Sequence, residues 1–148
     1  MINLQSSSVH ADADHATAWR KLGLMPRSTL VVATVDDDRR VRESLQNVLE
    51  SAGYEAVTFD SAETFLSSGA LSRVSCVIAD VRLPGMDGTE LQQQIRREQR
   101  QLPVILITAH DDDEVRTRAL RNGAVAFLVK PFDGGDLLDY VERATSDA

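Results

Sequence analysis

Five short apolar runs, at residues 30–35, 56–59, 76–80, 103–107 and 124–129, each break off at polar or turn-forming residues, and stretches with helical periodicity separate them. That alternation constrains the fold more than any other feature of the chain. Short apolar runs bounded by turn residues predict strands buried on both faces. Strands alternating with helices predict a parallel sheet covered on both sides, a doubly wound α/β sandwich of five strands and five helices.

The helical stretches carry their own start and stop signals. After Asp36, Asp37 and Asp38 comes a helix with Val41, Leu45, Val48, Leu49 and Ala52 on one face, stopped by Gly53. Asp60 or Ser61 caps a second helix bearing Ala62, Phe65 and Leu66 and ending at Gly69. The third spans about 89–97, with Leu91 and Ile95 inward. The fourth, at roughly 112–121, is weakly amphipathic, with Val115, Ala119 and Leu120 as its inward residues and Gly123 as its stop. Asp133 or Asp136 starts the fifth, whose apolar face is Leu137, Leu138, Val141 and Ala144.

Residues 1–28 stand apart as a polar, Ser-rich extension. Either it is a flexible tail or it forms a short helix near 11–24, with Trp19, Leu22 and Leu24 as apolar contacts. Met25, just before the first strand, is a candidate alternative start. Residues 29–146 form the expected domain, with no output domain after it.

A chain of 148 residues suits one domain. The formal net charge of −7 argues against nucleic-acid binding through a basic surface. A single cysteine, Cys76, excludes an internal disulfide, lies inside an apolar run as core filler, and suits a reducing compartment. No apolar run approaches transmembrane length, and the N-terminus lacks the pattern of a signal peptide. The expectation is a soluble, cytoplasmic protein without a membrane partner.

Chemistry collects just past the strand ends. Asp36, Asp37 and Asp38 follow the first strand, Asp80 ends the third, Thr108 follows the fourth and Lys130 the fifth. A parallel sheet brings all of them to one edge, where open α/β sheets keep their ligand sites. Several carboxylates converging there repel one another unless a cation intervenes, and hard oxygen ligands with retained water suit Mg²⁺. A carboxylate beside a divalent cation, an ammonium and a hydroxyl is equipped to accept a phosphoryl group and become an aspartyl phosphate.

The stretches Val35-Asp36-Asp37-Asp38, Asp80-Val81-Arg82-Leu83-Pro84-Gly85-Met86-Asp87-Gly88, Ile107-Thr108-Ala109-His110, and Gly123-Ala124 through Phe127 to Lys130-Pro131-Phe132 resemble the receiver domain of bacterial two-component response regulators, here of the stand-alone, single-domain type. The resemblance runs from about Leu30 to Ala144 and implies a flavodoxin-like (CheY-like) sheet in the strand order 2-1-3-4-5. Carried over residue by residue, it makes Asp80 the phosphoacceptor. Asp37 becomes a direct Mg²⁺ ligand, Asp36 one acting through water, and Arg82 a ligand through its backbone carbonyl. Thr108 and Ala109 hold the phosphoryl group with Lys130, Phe127 is the aromatic switch, and Lys130-Pro131 is a cis peptide. Asp38 reads as the cap of the first helix, and His110 as an exposed loop residue over the site mouth, at a position that the resemblance, together with that of Arg82, links to how readily water reaches the acyl phosphate.

The resemblance further implies a sensor histidine kinase or phosphotransfer protein as donor, a downstream protein target, and switching at the surface of the fourth helix, fifth strand and fifth helix. Arg116, Arg118 and Arg121, with Asp136, Asp139 and Glu142, offer a homodimer through that surface. Two other readings stand beside it. A Mg²⁺-dependent aspartyl-phosphate phosphohydrolase ordinarily carries an acid two residues after its nucleophile, and Arg82 occupies that position. A phosphorylation-independent adaptor has no need of Asp36, Asp37, Asp80, Thr108 and Lys130 together. The expectation is a signalling phosphoacceptor rather than an enzyme.

Overall fold

The computed structural model describes residues 30–99 and 101–146. It contains β1 (Val31–Val35), α1 (Arg39–Ser51), β2 (Glu55–Phe59), α2 (Ala62–Ser67), β3 (Cys76–Asp80), α3 (Gly88–Glu98), β4 (Val104–Thr108), α4 (Asp113–Arg121), β5 (Ala126–Val129) and α5 (Gly134–Ser146), with a 3₁₀ turn at Ala70–Ser72 after α2. The five strands pair in parallel in the order β2-β1-β3-β4-β5. This is the doubly wound sheet expected above, with helices on both faces.

The burial of the strands follows from that order. Every residue of β3 and β4 is buried, because these strands have neighbours on both sides and helices above and below. The edge strand β2 is only partly covered. Alternate residues of the central strands feed two separate cores. One gathers Ala33, Val77, Leu106 and Phe127 with Phe65 of α2, Leu91 of α3 and Ala119 of α4. The other gathers Val32, Ile78 and Ile105 with Leu45 and Leu49 of α1 and Leu137 and Val141 of α5.

Side-chain caps begin four helices, supplying acceptors for amides that the first turn leaves unpaired. Asp38, Ser61 and Asp112 cap α1, α2 and α4, and Asp87 forms a reciprocal capping box with Glu90 on α3. The choice left open between Asp60 and Ser61 falls to Ser61. After α1, Gly53 adopts φ 92°, a left-handed conformation that reverses the chain into β2.

One assignment of the sequence reading is corrected. Leu120 does not face inward: it is 45% exposed, and Ala119 is the buried residue of α4. A helix of nine residues with so narrow an apolar face rests on few contacts, and one of them is polar. Gln92 of α3, itself buried, donates from Nε2 to the Ala119 carbonyl at 2.9 Å. Element boundaries also shift: β5 begins at Ala126 rather than at 124, and Asp112 caps α4 rather than joining it. The expected extension at residues 1–28 lies outside the described residues. Among the described residues, no helix is long and apolar enough to cross a membrane.

Candidate phosphoacceptor site

Strand register assembles the site. Val35 pairs with Ala79, which puts Asp36 beside Asp80. Asp80 pairs with Ile107, so Thr108 lies one step beyond it, and Thr108 pairs with Val129, which places Lys130 next in line. The amide of Lys130 donates to the Thr108 carbonyl at 2.7 Å, holding β4 and β5 together at this edge.

The two carboxylates are oriented alike. Asp36 Oδ1 accepts the amide of Asp38 at 2.8 Å, and Asp80 Oδ1 accepts the amide of Arg82 at 2.8 Å. Each bond to a residue two positions on closes a local turn and fixes the carboxylate plane. The remaining oxygens converge on one ammonium. Lys130 Nζ donates to Asp80 Oδ2 at 2.7 Å and to Asp36 Oδ2 at 3.1 Å. Asp36 is fully buried and Asp80 nearly so. The peptide between Lys130 and Pro131 is cis, as the resemblance implied.

Electrostatics follow from that geometry. Burial raises the Asp36 carboxyl above its ordinary value, although the Asp38 amide and the Lys130 ammonium pull the other way. Burial opposes the Lys130 ammonium, yet its hydrogen bonds to Asp80 and Asp36 outweigh this and raise its pKa. Two carboxylates thus share one ammonium, and Asp37, next to Asp36 in the chain, is exposed.

Among the described residues, no three carboxylate, imidazole or thiolate groups gather closely enough to form a ready-made metal cluster. The donor set nevertheless suits Mg²⁺, which binds through one or two carboxylates and keeps several waters rather than seeking an all-protein cage. Asp36 and Asp80, which share one ammonium, offer hard oxygens of that kind.

The other expected residues surround this centre. Thr108 is buried, and its Oγ1 accepts the amide of His110 at 3.1 Å, which leaves the hydroxyl proton free to be donated elsewhere. Ala109 and His110 are exposed beside it. Phe127 is buried, 6% exposed, and the guanidinium of Arg116 lies 5.0 Å from its ring centroid. Arg116 also pairs with Asp111 at 2.7 Å.

Residues the sequence reading did not assign to the site include Arg42, whose Nη1 donates to the Asp36 carbonyl at 2.7 Å, and Glu63, which reaches the loop after Asp80. Arg42 follows Asp36 by six residues, one turn into α1, and that spacing was a usable signal. Nothing local marks Glu63.

A doubly wound sheet that carries an acidic pair, a buried hydroxyl and a lysine at one edge has the architecture of a signalling receiver. The family model described as the response regulator receiver domain matches residues 32–142, and the chain belongs to that family. Nodulation protein W of Bradyrhizobium diazoefficiens is 44% identical over 115 residues, covering 78% of this chain and 51% of that protein. The transcriptional regulatory protein FixJ of the same bacterium is 38% identical over 117 residues, 79% of this chain and 57% of that one. Among solved structures, the BeF3-activated DrrB receiver domain has a TM-score of 0.74 and 30% identity, over 80% of this chain and 98% of that one. Response regulator StyR has a TM-score of 0.73 and 44% identity, over 80% of this chain and 60% of that one. The chain spans about half the length of the curated relatives named here.

Proposed function

We propose that Asp80 accepts a phosphoryl group from a phosphohistidine on a sensor kinase or phosphotransfer protein. The observation that carries this reading is the convergence of Lys130 Nζ on Asp80 Oδ2 and Asp36 Oδ2 at the sheet edge. A carboxylate oxygen of Asp80 attacks phosphorus, the P–N bond breaks, and the imidazole leaves with the bonding pair. Lys130 stands where charge builds on the transferred oxygens, and the free hydroxyl proton of Thr108 is available to them. Asp36, Asp37, Asp80 and the Arg82 carbonyl are the oxygens proposed to hold Mg²⁺, which when bound neutralises charge on the phosphoryl group. The turnover proposed for the chain is its own phosphorylation and dephosphorylation only.

The added charge, about −2 with three acceptor oxygens, would draw on Thr108 and so disturb its neighbours on β4 and β5. Phe127 is already buried, so the proposed switch is a rearrangement of the contacts that Arg116 of α4 makes with Phe127 and with Asp111. Leu120 and Val125, the large apolar residues exposed on this side, support a protein partner there, whether a target or a second copy. One solved relative is described as a beryllofluoride-activated NtrC4 receiver domain dimer.

The test is incubation with a small phosphodonor and Mg²⁺, read by intact mass and by gel filtration. A phosphoryl adduct on the wild type that is lost in Asp80→Asn is the expected result. An adduct retained in Asp80→Asn, or none on the wild type, overturns the assignment. An unmodified protein that still captures its target favours the adaptor reading.

A further inference from the structure

The loop from Val81 to Asp87 carries the groups next to Asp80, and it is tied down at two points. At its base, the Gly88 amide donates to the Val81 carbonyl at 2.8 Å, so the loop returns to where it began. At its tip, the Met86 amide donates to Glu63 Oε2 at 2.7 Å. Glu63 lies in the first turn of α2, which packs on the same face of the sheet as α3, and 23 residues earlier in the chain.

Two further observations bear on this bond. Gly85, immediately before Met86, adopts φ 74°, and a Cβ placed on it would stand 2.5 Å from Glu63 Oε2. The carboxylate therefore occupies the space that any side chain at 85 needs. The amide of Met86 also holds the Glu63 carboxyl below its ordinary range, although the residue is solvent-exposed, so the bond favours the ionised acceptor. Leu83 and Met86 pack into the core around this tip, while Pro84 and Gly85 project into solvent.

We infer that Glu63 is a positioning residue for the phosphoacceptor loop, a strut from α2 that sets where the Arg82 backbone lies relative to Asp80. Arg82 sits between the two tie points. Its amide fixes Asp80 Oδ1 at 2.8 Å, and its carbonyl is the proposed metal ligand. With the tip released, the loop retains its base and its packed Leu83, but the Arg82 peptide plane loses its outer restraint. The consequence falls on ion and phosphoryl-analogue binding rather than on the fold. The functional half of this inference rests on the phosphoacceptor reading above.

The experiment compares the full chain with Glu63→Ala and Glu63→Gln, the second of which keeps an acceptor oxygen. Amide hydrogen exchange at Met86 and Arg82 reads the strut, thermal unfolding reads the fold, and NMR titration with Mg²⁺, then with beryllofluoride, reads the site. In Glu63→Ala, Met86 exchange is expected to quicken about tenfold and Mg²⁺ affinity to fall about three- to tenfold, with the melting temperature nearly unchanged. Glu63→Gln is expected to recover most of both. Unchanged Met86 protection in Glu63→Ala overturns the strut. Quickened exchange with wild-type Mg²⁺ and beryllofluoride affinities overturns its positioning role. If the wild type takes up neither probe, the phosphoacceptor reading fails along with the functional half, while the Met86 measurement still decides the strut.

Discussion

Lys130 and Asp80, fifty residues apart in the chain, meet through a 2.7 Å hydrogen bond at the end of β3. The same ammonium reaches Asp36 at 3.1 Å, so a single cation serves two carboxylates whose local turns have already fixed their orientation. This shared pairing is the energetic centre of the site, because an uncompensated buried charge costs more than a buried pair returns.

Lys130→Met should therefore destabilise the protein by about 1–3 kcal/mol when no divalent cation is present. The variant leaves Asp36 and Asp80 facing each other without a counter-charge. Added Mg²⁺ should recover more stability in the variant than in the wild type. Urea unfolding with and without Mg²⁺ measures both terms, and an equal Mg²⁺ effect on the two proteins would count against a shared site.

The pH dependence has a defined sign. Asp36 in the fold binds its proton more tightly than at the ordinary 3.8, so its favourable contribution is fully present below that value and is lost as pH rises through the folded pKa. Lys130 is raised above 10.5, and the stability it contributes is fully present below 10.5 and lost as pH rises through its folded pKa. At neutral pH the site thus carries the cost of burying Asp36 away from water. Asp36→Asn should melt at a higher temperature than the wild type at pH 7, and the difference should shrink as pH falls toward 4. Calorimetry across that range checks it.

Gly88→Ala should cost about 1–3 kcal/mol. A Cβ there would collide with the Asp80 carbonyl oxygen and lie 2.8 Å from Val81 Cα, and both obstacles are backbone. The start of α3 must then move away from the phosphoacceptor strand. Chemical denaturation gives the energy, and chemical shifts of the Asp80 and Val81 amides should report the displacement.

Cys76 should be inert in the folded protein. It is the chain's one cysteine, fully buried in β3, and burial pushes its thiol up to about 12, so little reactive thiolate exists at pH 8. Labelling by a disulfide reagent should follow global unfolding. Fast labelling under native conditions would show that β3 opens locally.

The expectations that held share one property: each depends on neighbours in the chain. An apolar run ending at Asp80 marks a strand and its end, and Asp38 before a helical pattern marks a cap. Leu120 misled because a helix with a narrow apolar face has no rotation dictated by its own sequence. Packing against α3, through the Gln92 bond to Ala119, turns it outward.

From the sequence alone came the number of strands and their alternation with helices, the carboxylates, hydroxyl and lysine at their ends, and the residues available to the site. Those are matters of periodicity and turn chemistry, which act over a few residues. Register and close packing alone decided that Lys130 bridges Asp36 and Asp80, that Arg116 covers Phe127, and that Glu63 reaches Met86. Such contacts join segments far apart in the chain, and they exist only once the sheet has brought them within hydrogen-bonding distance.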